Sequence, residues 1–235
     1  YIDGQWVTGY APSNNANPEL QWEKSSSANY GIDFMLWNRV YGSIEYFDRR
    51  SNDLLYTYTA PQPPYVYSTI LVNVGTTKNT GIELSLTGDV LVDTPVKWTT
   101  GVNYSYGTTK LSKLSNDIYK APYLDLYLKP GVGTSEYFFR VQEGGKIGQF
   151  YGYEYAGTDD EGNMLVYNKD GEKVLTAQAT AEDKRYIGNG APEHFLTWNN
   201  TLRWRDFDLS VMFQGAFGHE IFNMRKYGMG LQGCG

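Results

Sequence analysis

The sequence predicts an all-β protein, and within that class part of an antiparallel transmembrane β-barrel. Six segments alternate apolar and polar residues with a period of two, which gives each strand one dry face and one wet face. Turns inside each pair of segments are very short, whereas the connections between pairs are long. That asymmetry is typical of outer-membrane barrels, because a soluble sandwich usually carries turns about every 8–12 residues at both ends.

Three strand pairs are predicted, each formed around one of the short turns. They lie near residues 23–50, 79–107 and 194–222, with turns at 37–39, 93–95 and 205–206. The apolar faces comprise Tyr30, Ile32, Phe34, Leu36, Val40, Ile44, Tyr46, Ile82, Leu84, Leu86, Val96, Trp98, Val102, Tyr104, Leu196, Trp198, Leu202, Trp204, Phe207, Leu209, Val211, Phe213 and Phe217. Polar residues alternate with them on the opposite face.

The domain prediction is a single partial barrel over residues 1–235, with long extracellular loops at 48–79 and 107–193. Six strands cannot close a barrel, for which about eight is the usual minimum. Open sheet edges in a bilayer would leave backbone groups without hydrogen-bond partners, at a high energetic cost. We therefore expect further strands from outside this sequence.

Aromatic residues are predicted to form two girdles at the membrane interfaces. Trp37, Trp98, Trp204 and Phe207 lie near the short turns, and Tyr46, Tyr104, Tyr106 and Phe217 lie near the opposite strand ends. Strands of about 10 residues that span an apolar band of about 25 Å would place these rings at both boundaries. The alternative is that the rings fill a soluble core.

Composition narrows the function classes. The net charge of −6 argues against a nucleic-acid partner, which requires a basic face. The lone Cys234 excludes an internal disulfide framework and a site with several thiolates. The longest uncharged stretch, 54–77, is interrupted by Pro61, Pro63 and Pro64, so it does not predict a membrane-spanning helix.

Metal and catalytic sites are not predicted. The acidic stretches 159–163 and 168–172 flank Met164–Tyr167 and predict the tight turns of a small hairpin, not a calcium loop with alternating oxygen ligands. His194 and His219 stand apart with no third ligand, which disfavours a zinc site. No nucleophile-elbow string occurs, so we expect neither an enzyme nor a bound cofactor.

Binding is the stronger candidate for local chemistry, and four tyrosines in the first long connection are its candidates. Tyr56, Tyr58, Tyr65 and Tyr67 are interleaved with prolines that stiffen the chain. Their rings could stack on sugars. The alternative, which the sequence favours, is that they only pack this connection onto its neighbours.

A series of strings in the chain has the order and spacing of a known family. They are NPELQWE at 17–23, NYGIDF at 29–34, GSIEYF at 42–47, DLL at 53–55, NVGTTKNTGIE at 73–83, EGGKIGQFYGY at 143–153 and IGNGAP at 187–192. Together they resemble passages of the SusC/RagA family of TonB-dependent transporters. Their glycines suit bends and turns, so the strings mark barrel architecture and not a substrate site.

The resemblance implies a Gram-negative outer-membrane barrel of about 22 strands with an N-terminal plug. Such barrels work with a SusD-like surface lipoprotein and import oligosaccharides or peptides, powered by the TonB–ExbB–ExbD complex. This chain then represents part of the C-terminal half of the barrel, embedded in outer-membrane lipid, and no plug or TonB box is expected within it.

Two other functions stay open at this point. One is a passive porin or adhesin barrel, which a plug and a TonB box in the parent protein would exclude. The other is a soluble all-β module that binds glycans, which would fold without detergent.

Overall fold

The computed structural model describes residues 12–115, 120–128 and 137–223, and these residues form antiparallel sheets, which confirms the predicted fold class. Cys234 lies outside the described residues. The strands are β1 (Lys24–Leu36), β2 (Val40–Asn52), β3 (Leu55–Thr59), β4 (Thr69–Asn73), β5 (Thr76–Leu91), β6 (Val96–Lys113), β7 (Tyr123–Leu128), β8 (Tyr137–Gln142), β9 (Gln149–Gly152), β10 (Tyr155–Thr158), β11 (Met164–Tyr167), β12 (Lys173–Leu175), β13 (Arg185–Asn189), β14 (His194–Trp204) and β15 (Phe207–Phe217). Two short 3₁₀ turns cover Thr176–Gln178 and Ala181–Asp183.

The main sheet, called the wall below, has six strands in the order β1-β2-β5-β6-β14-β15. Every neighbouring pair is antiparallel, and the sheet is open, with β1 and β15 at its edges. Its turns are tight enough to need left-handed backbone: φ is 52° at Trp37, 53° at Asn38 and 53° at Arg205. Asn is one of the residues that tolerates this conformation best.

The two long connections differ from the expected loops, because the structure builds strands into both. The wall strands extend into the stretches expected to be loops. At the ends of the first stretch, β2 runs to Asn52 and β5 starts at Thr76; at the start of the second, β6 continues to Lys113. The 16 residues of β5 and 18 of β6 exceed the roughly 9–11 residues that a strand needs to cross a bilayer.

Three small sheets fill the rest of the connections. β3 pairs with β4, β10-β11-β12 form a second sheet, and β13-β9-β8-β7 form a third. Alternation does not reveal strands of three to six residues, because their pairing depends on turns and on partners far along the chain.

Among the residues that the structure describes, buried apolar side chains lie in or directly beside the small sheets and at the distal end of β6. Ala60, Ile70, Val72 and Val74 form one cluster, and Leu111, Leu114 and Val141 form another. In the wall, by contrast, Ile32 is 70% exposed and Phe207 is 72% exposed. The wall therefore has no protein core of its own.

Within the described ranges, no helix is long and apolar enough to cross a membrane.

Candidate functional site

The candidate site is the wall itself, because its register sorts the side chains into two chemically different faces. One face, called the outer face, is apolar over most of its length. In the central rows of the sheet it carries Ile32, Ile44, Leu84, Leu86, Val102, Tyr104, Leu196, Trp198, Val211 and Phe213. The other, called the luminal face, carries Asp33, Ser43, Glu45, Glu83, Ser85, Asn103, Ser105, Thr197 and Asn199 there.

The height of the apolar band matches a membrane. On β14 and its neighbours the band runs from the row of Trp204 and Phe207 to the row of Tyr106, His194 and Phe217, called the upper aromatic row below. About ten residues separate the rows, or roughly 33 Å along a strand at about 3.3 Å per residue. At the usual tilt of about 40°, this corresponds to roughly 25 Å of membrane height.

The predicted interface aromatics lie at both ends of that band. Trp37 is 82% exposed in the turn between β1 and β2, and Trp98 lies close to the turn between β5 and β6. Trp204 stacks on Phe207, with ring centroids 6.2 Å apart. At the far end lie Tyr104, Tyr106, Phe217 and Tyr46. Their contact with the membrane boundary stays a prediction.

Four polar or indole side chains near the middle of the outer face are paired with one another. The Trp98 indole donates to Asn200 Oδ1 at 3.2 Å, and the Trp198 indole donates to Thr100 Oγ1 at 2.9 Å. The Thr100 hydroxyl in turn donates to Asn200 Oδ1 at 2.9 Å. A polar group in hydrocarbon is costly without a partner, and these bonds supply one. At the far end of the band, the Tyr104 hydroxyl and Nδ1 of His194, which lies in the next row, are 2.7 Å apart.

The luminal face holds a carboxylate pair that sequence reasoning did not assemble. Glu45 of β2 and Glu83 of β5 are direct cross-strand partners. A shallow groove of 280 Å³ surrounds them, lined by Ser43, Glu45, Glu83, Leu84, Ser85, Asn103, Tyr104, Ser105, Phe195 and Thr197. Like charges directly opposite each other are unfavourable unless water or a polar partner occupies the space beside them. The sequence identified both residues as polar-facing, but not that β2 and β5 pair across the intervening hairpin.

On the luminal face, the ring of Phe47 packs closely over two glycines. Phe47 lies in one cross-strand row with Gly81 and Gly107. A Cβ added at Gly81 would stand 2.5 Å from the Phe47 ring and 2.2 Å from the carbonyl oxygen of Tyr106. Glycine at this position is therefore required by close approach, and not by its backbone angles.

The four candidate tyrosines are half-buried, and the structure brings three of them together. Tyr56, Tyr58 and Tyr65 pack against the buried cluster of the β3–β4 hairpin. Burial raises the pKa of the Tyr56 hydroxyl. The Tyr58 hydroxyl donates to the carbonyl of Lys120, and the Tyr67 hydroxyl donates to the carbonyl of Pro12. These contacts support packing, the interpretation that the sequence favours.

Both acidic stretches form turns. The Asp159 carboxylate accepts the backbone N–H groups of Asn163 at 2.7 Å and Glu161 at 3.0 Å, and bonds from Asn163 lower its pKa. Asn168 Oδ1 accepts the N–H groups of Asp170 and Glu172 in the same manner. Between the turns, β11 pairs with both β10 and β12. In the described part of the chain, no group of three or more His, Cys, Asp or Glu could hold a metal ion.

The third small sheet is organised around one arginine. The Arg140 guanidinium binds both oxygens of Asp125, at 2.7 and 2.8 Å, and this bonding raises the pKa of Arg140. The same group lies 3.5 Å from the ring centre of Tyr123 and 4.2 Å from that of Tyr151. A bidentate ion pair between two aromatic faces fixes the relative positions of β7, β8 and β9.

Known proteins with this sequence pattern are transport proteins. Residues 2–228 match the family model described as TonB dependent receptor-like, beta-barrel. TonB-dependent receptor P3 of Formosa agariphila is 30% identical over 94% of this chain and 23% of its own length. TonB-dependent receptor SusC of Bacteroides thetaiotaomicron is 22% identical over 88% of this chain and 20% of its own length.

Solved structures show the same likeness. The RagAB peptide importer in its open-open state has 26% identity and a TM-score of 0.72, over 92% of this chain and 23% of that one. Its closed-closed state has 27% identity and a TM-score of 0.69, over 93% and 24%. The chain thus spans roughly a quarter of the length of the relatives it matches.

Proposed function

Because the chain belongs to the TonB-dependent receptor-like β-barrel family, we propose that it forms part of the wall of an active nutrient importer. Members of this family are receptors and transporters of the Gram-negative outer membrane. The proposed cargo is an oligosaccharide or a peptide, and the proposed energy source is the TonB–ExbB–ExbD complex, acting through a plug region outside this chain.

One observation carries the proposal: large side chains of the apolar outer face are left exposed by the residues that the structure describes, while the luminal face is mainly polar. Leu209 is 57% exposed and Phe213 57% exposed, although both are apolar residues in well-paired strands. Large exposed apolar surfaces mark membrane or protein contacts. A band of about 25 Å bounded by aromatic rows fits a bilayer.

The two faces then divide the work of transport. The outer face anchors the barrel in lipid, and the luminal face lines the path of the cargo. Carboxylate, hydroxyl and amide groups around Glu45 and Glu83 offer hydrogen bonds to amide or sugar groups. The small sheets extend the wall on the extracellular side, where a SusD-like lipoprotein would cover the cavity.

One of the similar proteins supports a peptide as the cargo. RagAB is a peptide importer, and it shares 26–27% identity with this chain. The packing of Tyr56, Tyr58 and Tyr65 against the buried cluster of their hairpin supports a structural role for these three residues. Stacking of the candidate tyrosines on sugar rings stays a prediction.

Uptake by cells that express the full-length transporter tests the proposal. We expect a labelled peptide or oligosaccharide to accumulate, and accumulation to stop when a protonophore collapses the proton gradient or when TonB is deleted. Uptake that continues under both treatments would identify a passive porin. A chain that stays in the aqueous fraction without detergent would identify a soluble module.

A further inference from the structure

Beyond the upper aromatic row, the outer face of the wall carries cations aligned across three strands. Arg50 of β2 faces Lys78 of β5, and Lys78 faces Lys110 of β6, each as a direct cross-strand partner. Such side chains start about 4.5–5.5 Å apart, and like charges at that spacing repel each other. We call these three residues the basic belt.

A fourth cation extends the belt along the same line. Lys146 forms an isolated antiparallel bridge with Lys110, so it stands next to β6 on the side away from β5. The backbone N–H of Ile147 donates to the carbonyl of Thr109 at 2.9 Å, and that of Leu111 donates to the carbonyl of Gly145 at 3.0 Å. The connection before β9 is thereby held against the wall at this height.

Carboxylates near the belt do not balance it. Asp48 lies one row below and contacts Arg50 at 3.2 Å and Lys78 at 3.1 Å, and Glu193 contacts Lys146 at 2.7 Å. Lys110 is exposed and has no ion pair to any residue that the structure describes. Two carboxylates therefore face four cations, and the excess positive charge lies in the middle of the row.

The height of the belt fits the headgroups of a lipid and not its acyl chains. Along β2, Arg50 stands four residues beyond Tyr46 of the upper aromatic row. Four residues at about 3.3 Å each, tilted by about 40°, give roughly 10 Å of height. The headgroup region of a bilayer begins at that boundary and extends for several ångströms, and the long stems of Lys and Arg can bend toward it.

A groove at the same boundary has the shape of a headgroup site. It measures 370 Å³ and is lined by Ser26, Ser27, Ala28, Tyr30, Tyr46, Asp48 and Arg50. Tyr30 and Tyr46 are cross-strand partners at its lower end, and Ser26 and Arg50 are partners at its upper end. The groove is thus aromatic toward the membrane, with a hydroxyl and a guanidinium at its distal end.

We propose that the basic belt binds the phosphate groups of an anionic outer-leaflet lipid. Phosphate oxygens accept hydrogen bonds from Arg and Lys, and a shared anion removes the repulsion along the row. The site faces lipid and not the lumen, so it anchors the barrel and does not select cargo. This inference rests on the placement of the wall in the membrane and not on import.

Lipid binding to the full-length transporter in an uncharged detergent tests the belt, measured by native mass spectrometry. The probes are lipid A with its phosphates, the same lipid after enzymatic dephosphorylation, and inorganic phosphate. The variant combines Arg50→Gln, Lys78→Gln and Lys110→Gln. The matched control, Arg39→Gln with Lys97→Gln and Arg203→Gln, removes the same charge at the short-turn side of the wall.

We expect the belt variant to bind phosphorylated lipid A about 100-fold more weakly and the control to bind it unchanged, since each cation near an anionic headgroup contributes a similar share. Lys110→Gln alone breaks no ion pair and should lower affinity about fivefold without affecting folding. Equal affinity for the dephosphorylated lipid, an equal loss in the control, or competition by inorganic phosphate at the same concentration as lipid would each overturn the proposal. Cargo uptake should be retained in the belt variant.

Discussion

The wall and the small sheets bury apolar surface against different surroundings. Val72 and Leu114, in the buried clusters beside the small sheets, are 1% and 2% exposed, as in any soluble protein. Ile32 and Leu209, in the wall, are 70% and 57% exposed. The same hydrophobic residue types thus need a protein core in one region and hydrocarbon in the other. The exposed apolar side chains of β1, β14 and β15 therefore form a contact surface, and they are not a poorly packed core.

The two regions also differ in what holds their strands together. In the wall, strands of 11 to 18 residues are joined by long backbone ladders, and the register shifts only near the two ends of the β5–β6 pair. The small sheets depend on side chains that bind distant backbone. Asn15 Nδ2 donates to the carbonyls of Tyr67 and Thr69, and the Glu143 carboxylate accepts the N–H groups of Leu114 and Ser115. Single substitutions should therefore act locally outside the membrane and globally within it.

The largest effect is expected from a charge on the outer face. Leu86→Arg places a cation near the middle of the apolar band, which costs about 2–4 kcal/mol at a bilayer midplane. The adjacent Ser85→Arg points to the luminal face and serves as the matched control. Refolding of the full-length transporter into lipid vesicles, followed in urea, should show the loss for Leu86→Arg only. Equal losses would mean that the two faces are not in different media.

A smaller and more local effect is expected at Arg140. Arg140→Gln removes the bidentate pair with Asp125, and hydrogen bonds to charged groups contribute about 1.5–3 kcal/mol. Arg140→Lys keeps the charge without the planar fork, so its loss should be intermediate. Hydrogen exchange should speed up in β7, β8 and β9 and stay unchanged in β14 and β15. Faster exchange throughout the wall would contradict the separation of the two regions.

The smallest effect is expected from acid. Backbone N–H groups of Leu114 and Ser115 hold the pKa of Glu143 below its usual value of 4.5. The carboxylate therefore stabilises the folded state above that pH, and the contribution is lost as the pH falls through the lowered pKa. Amide protection of Leu114 and Ser115 should weaken as the pH falls below 4.5 and through the lowered pKa, and Glu143→Gln should abolish that pH dependence. Protection that depends on pH in the same way in the wild type and in Glu143→Gln would refute the assignment.

Much of the wall could be predicted, because successive side chains of a strand point to opposite faces and a strand with one apolar and one polar face therefore alternates in sequence. Ile82, Leu84 and Leu86 alternate with Glu83, Ser85 and Thr87 in the sequence, and the register of β5 puts them on opposite faces. Strand partners further along the chain could not be predicted. The pairing of β2 with β5, which joins Glu45 to Glu83 and Arg50 to Lys78, spans the β3–β4 hairpin, and no local pattern encodes it.

The small sheets were harder to predict, for a physical reason. The turns around Met164–Tyr167 are evident from Asp, Asn and Gly residues, whose side chains bond their own backbone. The contact of Arg140 with Tyr123 and Tyr151 depends on three strands that meet only in the folded state. Tyr56, Tyr58 and Tyr65 of the β3–β4 hairpin show both limits: their residue type is compatible with binding or packing, and only the fold reveals the buried cluster beneath them.

Spin labels placed singly along β5 of the full-length transporter in lipid nanodiscs test the central claim most directly, with all native cysteines replaced by serine. We expect labels at positions 82, 84 and 86 to be accessible to oxygen, which partitions into hydrocarbon, and labels at 83, 85 and 87 to be accessible to a water-soluble nickel chelate. Such a two-residue period in collision rates places the apolar face in lipid and the polar face in the lumen. Labels at 82, 84 and 86 that neither reagent reaches would show these side chains sealed inside protein, and the membrane-wall account would be wrong.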